Sequence, residues 1–194
     1  GLKSPLGSAG KLLPQIEVRT LDVTTESTLP RHESGILCFR GPNIFSGYLD
    51  SPDETRKVLD KDGWLRTGDL GRVDDHGYLF VEGRLSRFSK IGGEMVPHEK
   101  IEREVMEFLG TKQEEDQVCA IVGVEDQAKG EQLVLLTTRS IEAKDLREHL
   151  SGRGFPNLWI PKTIRQISDI PTLSTGKMDL RKIREFAEEE VEKG

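Results

Sequence analysis

Three short stretches combine residue types and spacings that could do chemistry. The first is Trp64-Leu65-Arg66-Thr67-Gly68-Asp69-Leu70, where a strand-like run ends in glycine and a carboxylate follows at once. A glycine there lets a ligand come close to the backbone. An ionised carboxylate only accepts hydrogen bonds, so Asp69 suits a pair of hydroxyls such as those of a ribose. Taken alone, the tripeptide Thr67-Gly68-Asp69 fits an ordinary β-turn equally well. The second stretch is Gly83-Arg84-Leu85-Ser86-Arg87-Phe88-Ser89-Lys90-Ile91-Gly92-Gly93. Its three cations beside a glycine pair suit a phosphate or a phosphorylated cofactor; they equally suit an edge strand kept soluble by its charges. The third is Pro171-Thr172-Leu173-Ser174-Thr175-Gly176-Lys177-Met178. A lysine on a Ser/Thr/Gly loop is a point charge on a flexible arm, fit to meet negative charge that develops in a reaction. The loop stops short of a complete phosphate-binding motif, because Met178 follows Lys177; an ordinary loop lysine before a helix is the other reading.

The elements that must hold these residues are legible in outline. Ile16–Arg19 and Gly35–Arg40 alternate apolar and polar residues as strands do, and Gly41-Pro42-Asn43 breaks the second. Ser51-Pro52-Asp53-Glu54 opens a helix to about Leu59, with Ser51 expected to cap it. Gly71–Val73 and Tyr78–Glu82 flank Asp74-Asp75-His76-Gly77 as a hairpin. Beyond residue 96 the pattern changes. Pro97–Leu109 has apolar residues at amphipathic-helix spacing, Val118–Val124 and Gln132–Thr138 read as strands, and Ile141–Leu150 and Met178–Val191 as helices. The Glu188-Glu189-Glu190 run reads as a solvated helix face. A β-rich segment followed by strands separated by helices predicts an α+β chain.

Composition narrows the function classes. The 194 residues include 28 Lys plus Arg and 34 Asp plus Glu, so the net charge is −6, which argues against a general nucleic-acid binder. The apolar stretch that includes Cys119–Val124 is far below the ~20 residues of a membrane helix. Cys38 and Cys119 lie far apart and suggest neither a disulfide framework nor a metal site, so a reducing, intracellular setting is expected. The chain begins without Met and without a signal-peptide pattern. Gly1-Leu2-Lys3-Ser4-Pro5 reads as the middle of a longer chain, and a fragment is expected.

Taken together and in order, the three stretches resemble the late motifs of the adenylate-forming superfamily of acyl-CoA synthetases, luciferases and peptide-synthetase adenylation domains. In that family they run (R)TGD, then GRxDxxIKxxGxxIxPxEIE, then PxxxxGKxxR; here they are Arg66–Asp69, Gly83–Glu102 and Pro171–Arg181. Gly10–Pro14, Gly35–Gly47 and Asp62-Gly63-Trp64 are similar to family phrases as well. The resemblance implies that residues 1–83 are the β-barrel-like end of the large AMP-binding domain, 84–86 a hinge, and 87–194 the small mobile C-terminal domain. It implies that Asp69 holds the ribose hydroxyls of ATP and that Arg84 lies next to ribose or phosphate. Ser86 takes the hinge position, where the family usually has Asp or Lys. Lys90, Gly92 and Gly93 face the incoming thiol, and Lys177 serves catalysis in adenylation. ATP and Mg²⁺ are the implied cofactors, and no residue of this chain is assigned as a metal ligand.

Arg87–Val96 resembles most the bacterial acyl-acyl-carrier-protein synthetase, 2-acylglycerophosphoethanolamine acyltransferase type, whose phrase is close to RFxKIxGEMV. That implies a fatty acid substrate, acyl carrier protein as acceptor, a role in lysophospholipid reacylation, and a parent protein on the cytoplasmic side of the inner membrane. An acidic carrier protein would need a basic landing patch, for which Arg84, Arg87, Lys90 and Arg103 cluster in sequence. The alternatives are a fatty or aryl acid–CoA ligase fragment and a non-catalytic carrier-protein docking module. The chain by itself, without the triphosphate loop, is expected to be inactive.

Overall fold

A computed structural model describes residues 4–111, 117–128 and 130–191; Gly1–Lys3, the start of the expected mid-chain segment, lie outside the described residues. The chain divides into two compact units, Gly1–Leu85 and Ser86–Gly194.

The first unit contains β1 (Gly10–Lys11), β2 (Glu17–Leu21), β3 (Gly35–Arg40), the helix α1 (Pro52–Val58), β4 (Leu65–Val73) and β5 (Tyr78–Arg84). The strands form one antiparallel sheet in the order β1-β5-β4-β3-β2. Ile36, Leu37 and Cys38 of β3 are buried in succession with Leu70 of β4. The β4–β5 turn is held by Asp74, whose Oδ1 accepts the backbone N–H groups of His76 (3.0 Å) and Tyr78 (2.8 Å), while Gly77 takes φ +79°. An Asx side chain substitutes here for backbone partners. Helix α1 starts at Pro52 as expected, but the side chain of Ser51 makes no capping bond. Thr55 ties the helix to the preceding loop instead: its hydroxyl accepts the Tyr48 N–H and donates to the Ser51 carbonyl.

The second unit contains β6 (Phe88–Ile91), β7 (Glu94–Pro97), α2 (His98–Phe108), β8 (Cys119–Asp126), β9 (Gly130–Thr137), α3 (Ala143–Gly152), β10 (Thr163–Gln166) and α4 (Leu180–Val191). Strand β9 pairs antiparallel with β8 and parallel with β10, and β6 pairs with β7 and meets β9 at its start. Alternate residues of β8 feed two cores. Cys119 and Ile121 pack with Ile101 and Val105 of α2 and Leu146 and Leu150 of α3. Ala120 and Val122 pack with Ile183 and Ala187 of α4. A strand covered on both faces reads in sequence as an unbroken apolar run, as Val118–Val124 does.

One strand is unforeseen and one expectation changes. The four-residue strand β10 has too little pattern to show in the sequence; it exists because β9 offers it a parallel edge. The terminal acidic run is also not merely solvated, since Arg165 of β10 reaches Glu189 (3.3 Å) and Glu190 (3.7 Å).

Candidate functional site

The Thr67-Gly68-Asp69 stretch sits at a break in the β3–β4 ladder. Ile36 stands opposite Leu70 and Cys38 opposite Arg66, so three residues of β4 face Leu37 alone. A bulge of this kind bends its strand and re-aims a side chain. It is stabilised locally: the Thr67 hydroxyl donates to the Leu37 carbonyl (2.9 Å) and accepts the Asp69 N–H (3.1 Å). Gly68 is required by its φ of +75°; a Cβ there would meet no atom of this chain within 4 Å, so within the chain the constraint is conformational.

The bulge sets Asp69 opposite Arg84 of β5, and Arg84 Nε lies 2.8 Å from Asp69 Oδ1. The two residues expected to touch nucleotide are therefore cross-strand neighbours joined by an ion pair at the surface. Arg66, just before the bulge, pairs with Glu26.

Ser86 is exposed and lies in a single 3-10 turn, Leu85–Arg87. Arg87 is buried. It forms an ion pair with Glu102 of α2, whose second oxygen accepts the Ile121 N–H at 2.7 Å. Burial pushes the Glu102 carboxyl up, and the Arg87 guanidinium and the Ile121 amide pull it back. The three cations thus share no edge strand kept soluble by charge: Arg84 ends β5, Arg87 lies in the 3-10 turn, and Lys90 is on β6, which lies between β7 and β9. Arg87 also leaves the basic landing patch.

On the same strand, the buried Ser89 hydroxyl shares a 2.8 Å hydrogen bond with Nε2 of buried His98. Burial, with the charges of Arg87 and Arg184 adding to it, pushes His98 down to about 3, so the imidazole is neutral at ordinary pH. This Arg87–Glu102 and Ser89–His98 cluster escaped the sequence reading. Polar residues alternating with apolar ones look alike whether they face water or each other. Lys90 is half-buried beside it, and Gly92 and Gly93 form the exposed β6–β7 turn with φ +57° and +91°.

Lys177 occupies a separate turn. The Leu173 N–H donates to the Lys177 carbonyl (2.7 Å), the Gly176 N–H to the Leu173 carbonyl (2.9 Å), and Thr172 bridges Met178 at the base. Gly176 has φ +80°. Asp179 immediately precedes α4, accepting the Lys182 N–H on its side chain. Lys177 is exposed at this turn, presented by a closed loop rather than by a helix terminus. Among the described residues no three His, Cys, Asp or Glu side chains gather as a metal-ion cluster would require, and no helix is long and apolar enough to cross a membrane.

Comparison with known proteins places this arrangement. The family described as AMP-binding enzyme matches residues 2–49. The chain is 30% identical over 184 residues to luciferin 4-monooxygenase of Photinus pyralis, covering 93% of this chain and 32% of that protein. It is 34% identical over 142 residues to 4-coumarate–CoA ligase 3 of Oryza sativa subsp. japonica, covering 73% and 24%. Among solved structures, ATP-bound MatB from Rhodopseudomonas palustris matches with a TM-score of 0.68 and 29% identity, over 93% of this chain and 35% of that one. The chain spans about a third of the length of the first curated relatives it matches.

The mixed, sheet-rich build with few helices is that of the C-terminal part of adenylate-forming enzymes. The chain belongs to the AMP-binding enzyme superfamily.

Proposed function

We propose that this chain is the C-terminal part of an ATP-dependent acid–thiol ligase, which activates a carboxylate as its adenylate and passes the acyl group to a thiol. The observation that carries the reading is the bulge that pairs Asp69 with Arg84. A carboxylate paired with one exposed guanidinium can exchange that partner for ribose hydroxyls, and the released guanidinium then faces ribose or phosphate. ATP supplies the adenylyl group and Mg²⁺ neutralises its phosphates. Lys177 meets the carboxylate and phosphate oxygens as charge develops, Ser86 lies at the hinge between the two orientations of the small domain, and Lys90 with the Gly92–Gly93 turn faces the thiol. The finer reading is a fatty acid as substrate and acyl carrier protein as acceptor, in lysophospholipid reacylation.

An acid–CoA ligase is the second reading, and it has specific support. Burial of Arg87 against Glu102 removes one cation from the patch that an acidic carrier protein would use, and relatives carry the name 4-coumarate–CoA ligase. Retention of Asp69, Arg84 and Lys177 speaks against a docking module, which needs none of them.

The test uses the full-length protein with ATP, Mg²⁺, labelled long-chain fatty acid, and acyl carrier protein and CoA as competing acceptors. Label on the carrier protein supports the finer reading. Label on CoA alone keeps the ligase and changes the acceptor. No acyl-adenylate from folded protein overturns both. Lys177→Ala should lower adenylate formation about 10²–10³-fold, as loss of one group that stabilises developing charge does, and slow acyl transfer from preformed adenylate far less; equal losses in the two steps would remove Lys177 from its role. The chain alone should show no ATP–pyrophosphate exchange.

A further inference from the structure

Strand β6 carries Lys90 into the Gly92–Gly93 turn, yet its ladder contact with the central strands is slight. Among the described residues a single register pair, Ile91 opposite Gly130, joins β6 to β9, whereas eight join β8 to β9. Its remaining ladder is with its own hairpin mate β7. Side chains anchor it instead. Arg87 is held by Glu102. Ser89 lies over Gly123, where a Cβ would come within 1.9 Å of the serine Oγ, and it is tied to His98. Both anchors precede Lys90. The third is at Lys90 itself: Glu131 Oε2, on β9, accepts the Lys90 backbone N–H at 2.6 Å. The other Glu131 oxygen is 4.0 Å from Arg184 Nη2, an outer-limit contact between partly exposed side chains that contributes little.

We infer that Glu131 is a positioning residue for thiol capture: its carboxylate, by holding the Lys90 amide, sets the place of Lys90 and of the Gly92–Gly93 turn. The inference rests on the reading above, in which this hairpin serves the second half-reaction. An ionised acceptor makes a short, strong bond to a backbone N–H, and the two positive-φ glycines beyond it add no side chain to steady the turn. Slack at Lys90 therefore passes directly to the hairpin tip, where small misplacements are costly to a reaction between two positioned groups.

In the full-length protein, Glu131→Ala should slow thioester formation from preformed acyl-adenylate about tenfold and leave adenylate formation within about twofold. Glu131→Gln keeps an acceptor oxygen and should restore most of the rate. In the 194-residue chain, hydrogen exchange at the Lys90 amide should quicken in the alanine variant but not the glutamine variant, with the β8–β9 amides unchanged. If the alanine variant fails to fold, Glu131→Asp, which keeps the charge and withdraws the oxygen by one methylene, replaces it. Equal losses in both half-reactions, no loss in either, or unchanged Lys90 exchange overturns the inference. A wild-type protein that makes no acyl-adenylate instead overturns the ligase reading, and the exchange measurement then decides whether Glu131 holds the hairpin.

Discussion

Arg84 and Arg87 stand three residues apart in the chain, and each pairs with a carboxylate. The side chains of Arg84 and Asp69 are 68% and 27% exposed; those of Arg87 and Glu102 are 8% and 5% exposed. The first pair is wet and formed across two strands. The second is dry, and each member is the other's answer to burial. An ion pair open to solvent contributes about 0–1 kcal/mol, whereas removing one member of a buried pair costs several. The same residue type is therefore a candidate ligand contact in one unit and a structural strut in the other, and exposure makes the difference.

The contrast can be broken by substitution, and the two tryptophans report on it separately, because Trp64 belongs to the first unit and Trp159 to the second. The largest effect is expected from Arg87→Ala, which strands the Glu102 carboxylate. It should destabilise the second unit by about 3–5 kcal/mol, read by denaturant unfolding through Trp159 fluorescence in a Trp64→Phe background. A cost below about 1 kcal/mol would mean that the buried pair is not a strut.

The next effect concerns pH. Burial depresses His98 from 6.5 to about 3, so the fold favours the neutral imidazole. Its contribution is fully present above pH 6.5 and is lost as the pH falls from 6.5 through 3. At pH 4.5 the loss is about 2–3 kcal/mol, at 1.36 kcal/mol per unit. The slope of stability against pH in that window should flatten in His98→Gln relative to the wild type; an unchanged slope would assign the acid sensitivity to other groups.

Smaller effects belong to the first unit. Gly68→Ala places an L-residue at φ +75° without any clash and should cost about 1–2 kcal/mol in unfolding followed through Trp64. Arg84→Ala should change that stability by no more than about 0.5 kcal/mol. A loss as large as that of Arg87→Ala would erase the distinction between the two pairs.

Much of the site was legible because its residues are local. The glycine pair and the Gly176-Lys177 loop carry their geometry within a few residues, and positive φ at Gly68, Gly92, Gly93 and Gly176 is a requirement that glycine meets at once; the strand expected to end at Gly68 instead runs on through a bulge to Val73. The apolar run Val118–Val124 and the spacing of Ile101 and Val105 likewise announced a strand and the inner face of a helix; the structure adds that the strand is covered on both faces. What stayed hidden depends on partners distant in sequence. Glu102 comes to Arg87 across 15 residues, Glu131 to Lys90 across 41, and β10 forms only on the edge that β9 provides.

The sequence by itself determined the periodic elements, the turn glycines and the ordered motifs that mark the superfamily, since each follows from steric and hydrophobic preferences over short stretches. Only the tertiary structure decided which charges are wet and which are dry. Solvation is a property of what packs around a group, and nothing in the spelling of Arg84 and Arg87 distinguishes the one that meets water from the one sealed against Glu102.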